Sequence, residues 1–317
     1  MNRKIIFIGD QHWKNKEPFK LKTTEFFIDL QKKYSEDILV FTGDFFDTAS
    51  SHFDEVMRLA VEYLLPFSEV HIVSGNHECN NKRSGNPLSV LNQFSNIKTY
   101  LEKTEVMIEG KKFLMLPYLY SLKEMKKYED ISGGDYDFVV SHVAYPNTNG
   151  GASDELDLSK INAKYFIYGH IHEPQNFGNH CILGVPLTTR YDERDWRKRI
   201  GIYNIEFNDF GFEELPNYIT YETIKFGEEP VDKNSILNII DAPSISSVRE
   251  RYEGYHIRLQ GVKLNEENLV EKTTYIEQKD LLNFNIVSNF ENFISENQQS
   301  DNRIKSTILA YFSKVGV

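Results

Sequence analysis

Short apolar runs that each end in small and polar residues recur along the first two-thirds of the chain. They are Ile5-Ile6-Phe7-Ile8, Ile38-Leu39-Val40-Phe41, Val70-His71-Ile72-Val73, Phe138-Val139-Val140 and Tyr165-Phe166-Ile167-Tyr168. Continuous runs of this length, rich in β-branched and aromatic residues, suit strands covered on both faces. Two stretches between them change period. Thr23 to Tyr34 puts Phe26, Phe27 and Leu30 on one helical face, and Phe53 to Leu65 puts Val56, Leu59, Ala60 and Tyr63 at helical spacing. Strands alternating with helices predict an α/β sandwich on a largely parallel or mixed sheet.

Further on, Val106 to Ile108 and Lys112 to Leu116 read as a hairpin closed by Glu109-Gly110. Residues 146–155 read as an exposed loop, Ile182 to Leu183 and Gly201 to Phe207 as closing strands, and Asn208 to Gly211 as a turn. Past residue 218 the texture changes. Tyr255 to Leu264 predicts a strand, and Leu281 to Ile294 and Arg303 to Phe312 predict helices. The expected division is a main domain over 1–215, a capping domain over 216–265 and a helical C-terminal segment over 266–317.

Composition narrows the class. Hydrophobic residues make up 40% of the 317, enough for a core and too many for a disordered chain. The net charge of -11 argues against a general DNA-binding coat. It leaves room for a local basic patch, or for carboxylates neutralised by metal. No apolar run approaches the roughly 18 residues of a membrane helix. The opening run meets Gly9-Asp10 before reaching the roughly 7 residues of a signal-peptide core. Two cysteines, Cys79 and Cys181, form no disulfide framework, and a cytoplasmic setting is expected.

The residues after each apolar run carry the chemistry. In order they are Gly9-Asp10-Gln11-His12, Gly43-Asp44-Phe45-Phe46-Asp47, Gly75-Asn76-His77-Glu78, Ser141-His142 and Gly169-His170-Ile171-His172. Open α/β sheets place their sites at the carboxyl ends of strands. Any one of these histidines alone reads more simply as a core or capped residue, as do His52, His71, His180 and His256. Five such strand ends in succession do not. A set of carboxylate, imidazole and amide oxygen suits Mn²⁺, Fe²⁺ or Zn²⁺ better than Ca²⁺ or Mg²⁺. The seven candidates Asp10, His12, Asp44, Asn76, His142, His170 and His172 exceed what one ion needs, so a carboxylate shared by two ions is expected.

These five motifs resemble the calcineurin-like metallophosphoesterases. Gly9 to Trp13, Gly43 to Asp47 and the stretch from Leu183 through Arg190 to Tyr203 are similar to the SbcD-type nucleases and the recombination endonuclease subunit of T4-like phages. The resemblance implies a four-layer α/β/β/α sandwich with a smaller C-terminal α+β capping domain. It implies two divalent ions, Mn²⁺ first among them. Asp10, His12 and His172 would hold one ion, Asn76, His142 and His170 the other, and Asp44 would bridge. Two cations roughly 3.5–4 Å apart neutralise a phosphodiester and activate the attacking water. His77 would assist the leaving oxygen, with Asp47 and Glu78 beside it in the catalytic group. The chain departs from the family in Glu78, where Asp is commonest, and in Asp47, where some relatives carry a second histidine.

The resemblance further implies DNA as substrate, an SbcC-type ABC ATPase as partner, docked through residues past about 265, and a homodimer formed through 53–65 and 87–94. Lys14, Lys16, Lys82, Arg83, Arg190, Arg194 and Arg197 are the candidate phosphate contacts, with Lys20, Lys198 and Arg199 nearby. Trp13, Tyr145 and Trp196 are candidate base-stacking residues. Two rival readings stand beside the nuclease: a phosphatase or cyclic-nucleotide phosphodiesterase of the same superfamily, and a non-catalytic DNA-end-binding scaffold.

Overall fold

The computed structural model describes residues 3–48, 53–79, 85–146, 148–149 and 155–260. The apolar runs form the inner strands of two six-stranded sheets. The first sheet contains β1 (Lys4–Ile8), β2 (Ile38–Phe41), β3 (Glu69–Val73), β4 (Ile97–Tyr100), β11 (Arg199–Asn204) and β12 (Asp209–Glu214), in the order β12-β11-β1-β2-β3-β4. The second contains β5 (Thr104–Ile108), β6 (Lys111–Leu116), β7 (Gly133–Ser141), β8 (Ile161–Tyr168), β9 (Gln175–Phe177) and β10 (His180–Ile182), in the order β5-β6-β7-β8-β10-β9. β1 through β4 run parallel, as do β6, β7 and β8, so the chemistry-bearing strand ends gather at one edge.

The two sheets face each other across a dry layer. Phe7 of β1 meets Phe138 of β7 at 5.1 Å between ring centroids, and Phe113 meets Phe138 at 4.7 Å. Val40, Val140, Ile167 and Tyr203 complete this layer. The long helices α1 (Phe19–Tyr34) and α2 (Phe53–Leu64) supply an outer layer, where Phe27 of α1 stacks on Phe41 of β2 at 6.1 Å. On the second sheet, Leu114, Val139, Phe166 and Tyr168 are covered by Met125, Tyr128, Leu156 and Leu158. That cover comes from α5 (Leu122–Met125), a 3-10 turn at Lys126–Asp130 and extended chain. Two further short helices, α3 (Asn76–Cys79) and α4 (Leu88–Leu91), follow β3. The α/β class and its two-sheet sandwich are as expected.

Helix α1 starts four residues before Thr23, after Pro18, because Lys20 and Lys22 bond back to Lys16 and Pro18. The hairpin turn is as expected: Glu109 and Gly110 both take positive φ, the signature of a type I′ turn. The turn after β11 is displaced from Asn208–Gly211 to residues 205–208, and β12 begins at Asp209. The Asn204 side chain accepts the N–H groups of Glu206 and Phe207, which starts the turn early.

The chain divides into two compact units. The larger comprises Met1–Ile224, Glu228–Asn238 and Gly254–Arg258, and so runs past the boundary expected near 215. Leu215 N bonds to Lys198 O, and Tyr218 Oη donates to Asp29, which ties the segment after β12 to this unit. The smaller unit holds Lys225–Gly227, Ile239–Glu253 and residues 259–260 among the described residues. Its helix α6 (Ile245–Arg251) is capped by Ser244, whose hydroxyl accepts Ser247 N at 3.1 Å. A third sheet has the order β13-β14-β15, from Tyr221–Lys225, Ile236–Ile240 and Ile257–Gln260. The expected helices at 281–294 and 303–312, the partner-docking segment and the end of the expected strand at 261–264 lie outside the described residues. No helix among the described residues is long and apolar enough to cross a membrane.

Candidate metal centre

Three of the five motifs leave their strands through a left-handed residue. His12, Asp44 and His170 take φ of 46°, 45° and 75°. Residues other than glycine seldom adopt this region, at a strain on the order of 1–3 kcal/mol each. The loops after β1 and β2 are laced together by main-chain bonds. His12 N donates to Asp44 O at 2.8 Å, Trp13 N to Phe45 O at 2.9 Å, and Asp47 N to Trp13 O at 3.2 Å. These bonds set His12 beside Asp44. Two glycines make room. A Cβ on Gly43 would lie 2.1 Å from His142 Nδ1, and one on Gly75 would lie 2.1 Å from Asp44 Oδ1.

The structure brings all seven expected ligands together. Three groups of side chains have ligand atoms mutually within 4.8 Å: Asp10, His12 and His172; His12, Asp44 and His77; Asp44, His142 and His170. Asp44 is common to two of them. Its Oδ2 lies 3.6 Å from His12 Nε2, and its Oδ1 lies 3.3 Å from His142 Nε2. Asn76 Oδ1 closes the second side, 3.0 Å from His142 Nε2 and 2.9 Å from His170 Nδ1. On the first side, His12 Nε2 and His172 Nε2 face each other at 3.0 Å, with Asp10 Oδ2 at 3.8 Å from His172 Nε2.

Main-chain groups hold this cluster. His170 N donates to Asp10 Oδ1 at 3.0 Å, and His77 N to Asp44 Oδ1 at 2.8 Å. His142 Nδ1 meets Thr42 O at 3.0 Å, so a neutral His142 presents Nε2 to the site. His77 Nδ1 meets Asp47 O, which likewise leaves its Nε2 toward the cleft, 3.8 Å from Asp44 Oδ2.

Burial and charge divide the titratable groups. Burial holds His12 below the usual histidine range, against the pull of Asp47 and Asp44. Burial also works against the charge of Asp44, yet His142, His12 and His77 outweigh it and keep Asp44 ionised. Burial alone would lower His142, but Asp44 and Asp10 lift it to about 10. A cation at this site therefore displaces a proton.

The donor set fits a pair of divalent cations. Asp10 Oδ2 is buried with no hydrogen-bond partner. Two imidazole nitrogens converge at 3.0 Å, and one carboxylate presents an oxygen to each side. Buried polar atoms are otherwise almost always satisfied.

A model of the calcineurin-like phosphoesterase family matches residues 3–174, more than half of the chain. The chain belongs to this family. As a calcineurin-like phosphoesterase it is a metal-dependent hydrolase of phosphate esters, from a family that uses a divalent metal pair, and the three groups of side chains above could hold metal ions. Over 236 residues it is 26% identical to the DNA double-strand break repair protein Mre11 of Methanopyrus kandleri, covering 63% of this chain and 52% of that protein. The chain thus spans about half the length of the curated relative it matches. Among solved structures, a novel archaeal phosphodiesterase aligns at 19% identity over 67% of this chain and 99% of its own, with a TM-score of 0.38. The 5′-nucleotidase precursor of Thermus thermophilus aligns at 12% identity over 67% of this chain and 54% of its own, with a TM-score of 0.36.

Within this phosphoesterase site, Asp47 lies beside the ligand His12, where its carboxylate can orient the ring. Glu78, from its place after His77 in the motif, is the residue expected to orient or charge that histidine. Its carboxylate instead accepts Phe46 N and Gly75 N, both at 2.8 Å, and so braces the second and third motifs. Asp47 holds His77 through its main-chain oxygen, while its carboxylate lies 3.5 Å from both His12 Nδ1 and Lys14 Nζ.

The expected DNA contacts divide in the same way. Lys16, Arg190 and Arg197 are exposed, and Lys14 is half-buried, donating to Thr189 O at 3.1 Å. Arg194 is engaged with Tyr191, over whose ring it sits at 4.2 Å, and with Asp195. Lys82 and Arg83 lie outside the described residues. Lys198 and Arg199 face inward: Lys198 Nζ donates to Glu193 O, and Arg199 to the carbonyls of Gln175 and Ile182. Trp13 is no stacking platform. It is 2% exposed and stacked on Phe27 at 4.8 Å and 14°, because the laced loops fold it under the motif. Tyr145 stacks on His180 at 4.4 Å, and Trp196 is half-buried near Lys198.

One residue at the site escaped sequence reasoning. Glu193, buried in the basic segment, bonds His172 Nδ1 at 2.5 Å. In the sequence it is one acidic residue among several that interrupt a run of arginines, and no spacing links it to residue 172.

Proposed function

We propose that this chain is a two-metal DNA phosphodiesterase, the nuclease subunit of an ATPase-linked recombination or repair complex. The observation that carries the chemistry is Asp44, with an oxygen toward each ligand group and His77 at its side. The similarity to a DNA repair protein over 63% of this chain favours a DNA substrate. Exposed Lys16, Arg190 and Arg197 supply phosphate-binding charge on an otherwise acidic protein. Mn²⁺ suits the mixed nitrogen and oxygen donors. An SbcC-type ABC ATPase and a second copy of the chain belong to the same proposal as partners.

Bound cations would supply the charge that neutralises a phosphodiester and acidifies a water. The chain's residues do the rest. Asp10, His12 and His172 would hold one cation and Asn76, His142 and His170 the other, with Asp44 between them. Thr42 O fixes the tautomer of His142, and the backbone N–H groups of His77 and His170 keep the two aspartates aimed. His77, a quarter exposed, holds Nδ1 against Asp47 O and keeps Nε2 3.8 Å from Asp44 Oδ2; with the ring protonated, Nε2 would deliver a proton to the leaving oxygen.

The test is Mn²⁺-dependent turnover of labelled linear duplex DNA beside a small bis-aryl phosphodiester, with wild type and His77→Ser. Cleavage of DNA by wild type alone is the expected result, and the product ends give its polarity. Turnover of the small ester with DNA untouched, even after the ATPase is added, would leave a phosphatase or small-molecule phosphodiesterase. A His77→Ser protein as active as wild type on both substrates would overturn the assigned chemistry.

A further inference from the structure

We infer that Glu193 is a positioning residue that fixes the ring of His172 for metal binding. The inference rests on the two-metal reading above. Glu193 is 1% exposed, and its two carboxylate oxygens divide their work. Oε2 accepts the backbone N–H groups of Thr189 at 2.6 Å and Arg190 at 2.9 Å. Oε1 accepts His172 Nδ1 at 2.5 Å. The Thr189 hydroxyl lies within 3.1 Å of both oxygens. An ionised carboxylate only accepts hydrogen bonds. The proton of a neutral His172 is therefore held on Nδ1, and the lone pair sits on Nε2. That nitrogen faces His12 Nε2 at 3.0 Å and Asp10 Oδ2 at 3.8 Å.

The surroundings make Glu193 a rigid anchor. Lys198 Nζ donates to Glu193 O at 3.0 Å, and Lys14 Nζ donates to Thr189 O at 3.1 Å. The turn from Thr189 to Arg194 is thereby pinned to the loop that carries His12. A turn of this kind needs only the amide acceptor, Oε2. The second oxygen, spent on His172, is what a purely structural residue would not require. Carboxylates that orient metal-binding histidines in this way change metal affinity by about 10–100-fold when removed.

Isothermal titration of Mn²⁺ into the full chain, wild type and Glu193→Gln, tests this. Glutamine keeps the size but has a single acceptor oxygen for two jobs. Two ions on wild type, with one of the two bound 10–100-fold more weakly in Glu193→Gln and the other unchanged, is the expected result. Two ions on wild type with both affinities unchanged in the variant would overturn the role of Glu193 alone. Fewer than two ions on wild type would overturn the two-metal reading and this role with it. A second readout needs no variant. Imidazole ¹⁵N spectra of the metal-free wild type at a pH where His172 is neutral should place its proton on Nδ1, strongly hydrogen-bonded. A proton on Nε2 would overturn the inference whether or not Glu193→Gln folds.

Discussion

His77 donates its Nδ1 proton to the main-chain oxygen of Asp47, so the Asp47 side chain is free for other partners. The contact survives substitution of that side chain. Asp47→Asn should therefore lose less than about tenfold in turnover of a bis-aryl phosphodiester, well short of a general acid's worth. His77→Ala should lose about 10²–10⁴-fold, the usual worth of a general acid, while binding Mn²⁺ normally. Equal losses in the two variants would show that the Asp47 carboxylate, not its carbonyl, sets the proton transfer.

Glu78 accepts two backbone N–H groups from a buried position. Burial and the nearby charge of Asp44 push its carboxyl up to about 8, with the two amides opposing. Glu78→Gln would turn an N–H₂ group toward one of those amides and leave two donors facing each other. The variant should be destabilised by about 1–3 kcal/mol, read as a lower midpoint of denaturant unfolding. Unchanged unfolding with lost turnover would return Glu78 to the catalytic group.

Trp13 fills the space above Phe27 and beside Phe45. Trp13→Ala should cost about 3–5 kcal/mol of stability, as large-to-small changes in a packed core do. Trp13→Phe should fold, and any affinity of the wild type for duplex DNA should be the same in the variant. A marked loss of DNA affinity in Trp13→Phe, with the melting temperature intact, would restore Trp13 to the DNA surface.

Burial lowers Lys198 to about 8, with Glu193 opposing. The unfolded chain keeps this proton up to about pH 10.4. Between pH 8 and 10.4 the unfolded state binds more protons, so this group adds stability as pH rises. The full effect is on the order of 3 kcal/mol. Cys181, held up at about 11 by burial, titrates in the opposite sense over the same range. The comparison of wild type with Lys198→Met isolates the lysine. The variant should be at least as stable as wild type at pH 7, and its advantage should vanish by pH 10. An advantage independent of pH would show that Lys198 binds its proton as tightly in the fold as in the unfolded chain.

The two halves of the site were legible to different degrees. The ligand types announced themselves because each follows directly on an apolar run, and the inner strands are too buried to be anything else. The roles of Glu78, Trp13, Lys198 and Glu193 were not legible. A charged or aromatic letter reads as surface or as chemistry in a sequence, and whether its partner is a backbone amide, a phenylalanine or a histidine depends on chain segments far away. Glu193 meets His172 across a turn whose shape is set by Thr189 and Lys14.

What the sequence determined by itself was the succession of the inner strands along the chain and the choice of candidate ligands, because local apolar runs and the residues that end them are local properties of the chain. The tertiary structure decided which carboxylates face metal ligands, which face backbone, and which cations remain exposed. It did so because hydrogen bonds at 2.8–3.0 Å between residues 32 apart, as in Phe46 and Glu78, or 160 apart, as in His12 and His172, exist only once strands distant in the chain have come together.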